Sequence, residues 1–89
     1  MYAVHLLDEA KADLGALARS DQATARLISN KLKWLGENAE TLHHHALHGP
    51  WAGYFKQRVR DYRIVYQIDH KTSRLYVLRI RHRSEVYDI

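Results

Sequence analysis

The alternation of apolar and polar positions divides the chain into a helical first half and a stranded second half. Ala10, Leu14 and Leu17 fall at i, i+4 and i+7, so they line one face of a helix. Ile28, Leu32 and Leu35 repeat that spacing, with Leu27 and Trp34 flanking. Arg19-Ser20-Asp21 interrupts the pattern, and either Ser20 or Asp21 can cap the second helix. Asp8 can cap the first, with Glu9 favouring its positive end. The second helix ends somewhere between Gly36 and Leu42. Two amphipathic helices with a short joint predict a helical hairpin. Before it, Tyr2 to Leu7 is short and apolar-rich, which fits a first strand.

After the turn-forming run His48-Gly49-Pro50-Trp51-Ala52-Gly53, the periodicity changes to two. Three strand-like runs follow, Tyr54–Val59, Tyr62–Asp69 and Arg74–Arg81, joined by short polar turns that favour antiparallel pairing. A last short strand over Glu85–Asp88 is also compatible with the pattern. The predicted order is β-α-α-β-β-β in a single domain, residues 1–89. The expected fold is α+β, with the hairpin on one face of a twisted, mainly antiparallel four-stranded sheet.

Strand alternation then sorts the side chains. Phe55, Gln57 and Val59 share one face, and Tyr54, Lys56, Arg58 and Arg60 the other. Ile64, Tyr66 and Ile68 oppose Arg63, Val65 and Gln67. Tyr76, Leu78 and Ile80 suit a core under the helices, which leaves Leu75, Val77, Arg79 and Arg81 outward. On this reading Lys56, Arg58, Arg63, Arg79 and Arg81 form a ladder of cations on the open face. Such a ladder repels itself and folding does not require it, but it would cradle phosphate: Arg offers paired donors, and Lys a point charge or a base.

Charge sharpens this. Residues 1–48 hold five Lys/Arg against six Asp/Glu, and residues 49–89 hold nine against four, so the excess of +4 lies wholly in the second half. A polyanionic partner, nucleic acid first, is expected. There is no cysteine, which removes disulfides and thiolate metal sites. No apolar run is long enough to span a bilayer, and the first residues do not fit a secretory leader. A cytoplasmic protein with no membrane association is expected. The histidine tract His43-His44-His45, with His48 nearby, has two readings, a surface loop or a transition-metal site, and the first is favoured because no carboxylate or Cys completes a ligand set.

The segment Leu47 to Ile68, with its Gly-rich turn, Tyr54-Phe55-Lys56-Gln57-Arg58 and Tyr62-Arg63-Ile64-Val65-Tyr66, resembles the central segment of RelE-type toxins of the RelE/ParE superfamily. The closing run Leu78-Arg79-Ile80-Arg81-His82-Arg83-Ser84-Glu85-Val86-Tyr87 is similar to their basic run and Glu-Val-Tyr signature. The resemblance implies the toxin of a type II toxin–antitoxin pair. Such a toxin is an endoribonuclease that cuts mRNA in the 30S A site of the ribosome without metal or cofactor. The RNA 2′-hydroxyl attacks the adjacent phosphate, and a RelB-like cognate antitoxin neutralises the toxin. By position, Lys56, Arg58, Arg63, Arg81 and Tyr87 become the catalytic candidates. Lys56 would act as base or charge stabiliser, Arg63 and Arg81 on the phosphate, and Tyr87 on the target nucleotide. Arg60, Arg79, His82 and Arg83 become RNA-binding candidates. His82 and Tyr87 compete with Lys56 for the role of base, since Arg is a poor proton carrier. Two other readings remain: a ParE-like inhibitor of DNA gyrase, and a non-catalytic module that binds RNA or antitoxin.

Overall fold

The computed structural model describes residues 1–85 and has the element order β1 (Ala3–Leu6), α1 (Asp8–Ser20), α2 (Gln22–Asn38), β2 (His45–Ala46), β3 (Phe55–Val59), β4 (Tyr62–Asp69) and β5 (Arg74–His82). Single 3-10 turns lie at Gly49–Trp51 and Arg83–Glu85. The strands form one sheet in the order β1-β5-β4-β3-β2. The class is the expected α+β, with the two helices on a mixed sheet. The sheet has a fifth strand, because the two residues of β2 pair with Phe55 and Lys56. A run of two residues carries no periodicity, so nothing in the pattern announces it. The Glu85 end of the expected last strand is instead helical, and the rest of that segment lies outside the described residues.

Both helical stripes are buried. Ala10 and Leu17 of α1 and Ile28, Leu32 and Leu35 of α2 join the core, with Leu14 packed against it. Asp21 is the cap between the helices, its carboxylate accepting from Thr24 N–H at 3.2 Å and from the Thr24 hydroxyl at 2.6 Å. These two bonds hold the Asp21 carboxyl below its ordinary range. Asp8 does not cap. Leu7 occupies the cap position without a side-chain bond, and Asp8 and Glu9 fill the first turn, where their charge favours the helix dipole.

Helix α2 reaches β1 at Gly36. Its carbonyl accepts from Tyr2 N–H at 2.8 Å. A Cβ at that position would lie 2.7 Å from the Tyr2 carbonyl oxygen and 2.9 Å from Val4 Cγ2. Only glycine allows the helix this close to the strand. Strand β1 runs parallel to β5, pairing Ala3–Leu6 with Arg74–Val77, while the other neighbours are antiparallel.

The assignment of faces on β5 needs correction. Leu75, Val77 and Ile80 are the core residues, not Tyr76, Leu78 and Ile80. The cause is a register irregularity between Val65 and Tyr66 of β4. Val65 pairs with Arg79 and Tyr66 with Val77, so Leu78 is an extra residue and the alternation changes phase there. A strict period of two, extended through a bulge, inverts one side of it.

Candidate nucleic-acid interface

The sheet face turned away from the helices carries the expected cations, though fewer than alternation suggested. On β3, Val59 is buried under the helices and Arg58 is exposed on the other side. Strand register then places Arg58 opposite Arg63, and Arg63 opposite Arg81. Partners in an antiparallel pair point to the same face. Three arginines on three adjacent strands therefore form one row. In the next row Lys56 pairs with Val65, which is fully buried in the floor of this face. Two of the arginines make only weak or local bonds: Arg58 Nε donates to the Arg60 carbonyl at 3.2 Å and Arg63 to the Tyr62 carbonyl at 3.4 Å. Arg81 is held by Glu85, four residues on, at 2.5 Å.

The remaining predicted residues lie elsewhere. Arg79 does not join the row. Its guanidinium donates to both oxygens of Asp13, at 2.8 and 3.1 Å, and to Glu9 at 2.7 Å. Asp13 also accepts from Ile80 N–H at 3.0 Å, where β5 has run past the end of β1 and its edge is free. Burial pushes the Asp13 carboxyl up. The Arg79 bond, the Ile80 amide and the charges of Arg79 and Arg81 outweigh it and hold the group below its ordinary range. The bond to Asp13, assisted by the charges of Asp13 and Glu9, raises Arg79 against a smaller cost of burial. This cation is committed to fastening α1 to the sheet.

Arg60 also leaves the face that alternation gave it. It sits in the β3–β4 turn at φ 54°, outside the extended region. From there its guanidinium reaches back to donate to the Thr24 hydroxyl at 3.1 Å. His82 pairs with Tyr62 and stands edge-on to its ring at 5.2 Å, on the helix side of the sheet. Its Nδ1 accepts from Ser84 N–H at 3.1 Å. It borders a polar cleft with Asp21, Thr24, Arg60 and Asp61, and a second one, at the free edge of β5, with Arg79, Arg81 and Glu85. Arg83 is exposed beside the same turn, with its backbone N–H bonded to the Asp61 carbonyl at 2.7 Å. Tyr87 lies outside the described residues.

The histidine tract, expected as a surface loop, stands beside the row. A cleft of about 470 Å³ is lined by Lys56, Gln57, Arg58 and Arg63 from the sheet, and by Trp34, Leu42, His43 and His45. His45 is the register partner of Lys56. His44, between His43 and His45 in sequence, turns inward: its ring bonds the Ala39 carbonyl at 2.8 Å and the Tyr66 hydroxyl at 2.7 Å. Burial pushes that Tyr66 hydroxyl up to about 12. The Trp34 indole is partly exposed, with Lys31 Nζ stacked 4.3 Å from its ring centre. The histidine tract is therefore split by strand geometry into one anchoring ring and two that open on the cations. Among the described residues no three His, Cys, Asp or Glu side chains gather as a metal-binding set.

A family model of the ParE toxin of type II toxin–antitoxin systems matches residues 4–87. The chain belongs to this toxin family. None of the curated proteins matches it in sequence. Among solved structures, the toxin–antitoxin complex RelBE2 from Mycobacterium tuberculosis contains a chain with a TM-score of 0.79 at 24% identity, over 91% of this chain and 96% of that one. A YoeB/ParE toxin from Agrobacterium tumefaciens gives 0.76 at 20% identity, over 90% and 96%. YafQ from Escherichia coli also gives 0.76, at 16% identity over 98% and 99%. At such identities the likeness is one of fold. That fold fits the helical hairpin and sheet described above, and the place of this toxin in the RelE/ParE superfamily rests on the family model over residues 4–87. Among the described residues no helix of the toxin is long and apolar enough to cross a membrane.

Proposed function

We propose that this toxin is a metal-independent endoribonuclease that cuts messenger RNA on the ribosome and is neutralised by a cognate antitoxin. The observation that carries the reading is the row Arg58–Arg63–Arg81 with Lys56 beside it. These cations are in register across three strands on the sheet face turned away from the helices. Like charges in direct opposition cost stability, so the row has its best explanation in an anionic ligand. In RNA cleavage by the 2′-hydroxyl, negative charge grows on the non-bridging oxygens of the phosphate. Donors fixed in advance around that site stabilise the transition state. Arg63, central in the row, binds the scissile phosphate. Arg58 and Arg81 flank it, and Lys56 adds charge from the next row. Trp34 offers an aromatic face for a nucleobase. Tyr87 keeps the nucleotide-orienting role implied by the RelE resemblance.

RelBE2 and the YoeB–YefM pair from Staphylococcus aureus were solved as toxin–antitoxin complexes. By analogy the partner here is an antitoxin of the RelB or YefM kind. The ribosome, its ribosomal RNA and the messenger are the remaining partners, and the cytoplasm is the compartment where all of these meet.

The match to a family named for ParE favours one second reading, a poison of DNA gyrase. Pulse-labelling after induction separates the two. A ribonuclease stops incorporation of labelled amino acid before that of labelled thymidine, and the Arg63→Ala/Arg81→Ala variant restores both. Early loss of thymidine incorporation with DNA breaks, insensitive to that double substitution, would transfer the assignment to gyrase.

A further inference from the structure

Cleavage by a 2′-hydroxyl needs a proton acceptor at that oxygen and a proton donor at the departing 5′ oxygen. The arginine row can supply neither, because guanidinium does not give up its proton in proteins. The His82 ring packs edge-on against Tyr62, and His82 meets the row only at Arg81, outside the cleft of Lys56, Arg58 and Arg63. The cleft beside the row does hold two imidazoles, His43 and His45.

Their placement follows from strand geometry. His45 is in β2 and pairs with Lys56, so the two side chains share a face. His44 is fixed inward. The Ala39 carbonyl can only accept, so the His44 Nε2 carries the hydrogen, and the Nδ1 shares the bond with the Tyr66 hydroxyl. Its ring also packs against Phe55, 5.5 Å between centres. With the middle ring anchored in the core, its two neighbours are turned outward, and both are exposed. The charged groups facing them are Lys56 and Arg58 of β3 and Arg63 of β4. From α2 the cleft receives Trp34, whose ring carries Lys31.

We propose that His45 and His43 are the acid–base pair of this toxin, a proposal that rests on the ribonuclease reading. Neutral His45 takes the proton of the 2′-hydroxyl as that oxygen bonds to phosphorus. The bond from phosphorus to the 5′ oxygen breaks, and that oxygen takes a proton from the His43 imidazolium. The products are a 2′,3′-cyclic phosphate and a 5′-hydroxyl. Proton exchange with water then resets both rings, and no co-reactant is consumed. Imidazole suits both roles because its ordinary titration lies near neutral pH. Lys56, in register with His45, is left to stabilise charge.

The test is single-turnover cleavage of messenger on programmed ribosomes across a range of pH, using the full-length toxin. The wild type is expected to give a bell-shaped profile, with His45 required neutral and His43 required protonated. His45→Gln should slow cleavage by about 100-fold or more and remove the acid limb. His43→Gln should slow it and remove the alkaline limb. Added imidazole should restore part of the rate to His45→Ala. Binding to ribosomes carrying a 2′-O-methyl messenger, which cannot be cut, should stay as in the wild type. If the wild type cleaves and His45→Gln keeps the rate and the profile, the assignment is overturned. Loss of cleavage together with loss of ribosome binding, and without rescue by imidazole, overturns it as well. If the wild type leaves ribosome-bound messenger intact, the nuclease reading itself fails.

Discussion

Replacing Arg63 by Met should stabilise this toxin while disabling it. Arg63 faces Arg58 on one side and Arg81 on the other, strand against strand. Two unit charges about 6 Å apart in water-like dielectric repel by about 0.7 kcal/mol. Measured cross-strand pairs span about 0.2–1 kcal/mol. Arg81 is partly offset by Glu85, so Arg58 supplies the larger share. Methionine keeps an unbranched apolar stem of similar reach and removes the charge. The expected gain at low ionic strength is about 0.5–1 kcal/mol, or about 2–8 °C in Tm for a domain of this size. It should fade toward 1 M salt, where the screening length falls to about 3 Å. Thermal melts at two salt concentrations, with cleavage assayed on the same samples, check this. A variant less stable than the wild type at low salt, or a gain indifferent to salt, would refute the argument that the row is held against its own repulsion.

Other expectations follow from single contacts. Asp13→Ala should cost about 1–3 kcal/mol at neutral pH, since a partly exposed pair falls between surface and buried bridges and the Ile80 amide loses its acceptor. The folded Asp13 carboxyl sits below its ordinary 3.8, so this stability is present above that value and is lost as pH falls through the folded one; denaturant melts of the two proteins should converge in acid. Gly36→Ala gains helix propensity but drives a Cβ against the Tyr2 carbonyl, and should lower stability by about 1–2 kcal/mol in the same assay. His82→Gln should leave ribosome-dependent cleavage unchanged, because His82 packs on Tyr62 and lies outside the cleft of Lys56, Arg58 and Arg63; a large loss would mean that the edge it shares with Arg81 takes part in cleavage.

The features legible in the sequence are those with local periodic signatures. The stripes Ala10-Leu14-Leu17 and Ile28-Leu32-Leu35 marked the helices, and the pattern at Tyr54–Val59 and Tyr62–Asp69 marked two strands and their cation-bearing face. What stayed hidden depends on distant partners or on breaks in period. The extra residue at Leu78 reverses the face of Leu75 and Val77, and no residue type there signals a bulge. Arg79 looks like a free cation until Asp13, 66 positions away, is brought against it. Arg60 changes sides through one left-handed turn residue. The histidine tract read as a loop because β2 has two residues, and its meaning depends on pairing with Lys56 and on the inward anchor of His44.

If this toxin is a ribosome-dependent nuclease, its cation row holds the scissile phosphate of ribosome-bound messenger. Primer-extension mapping of 5′ ends in a translating extract, with ribosome-bound and free messenger in parallel, tests it most directly. The expected result is cuts within codons that require ribosomes and vanish in Arg63→Ala/Arg81→Ala. Intact messenger under active translation, or cuts that persist in that variant, would contradict it.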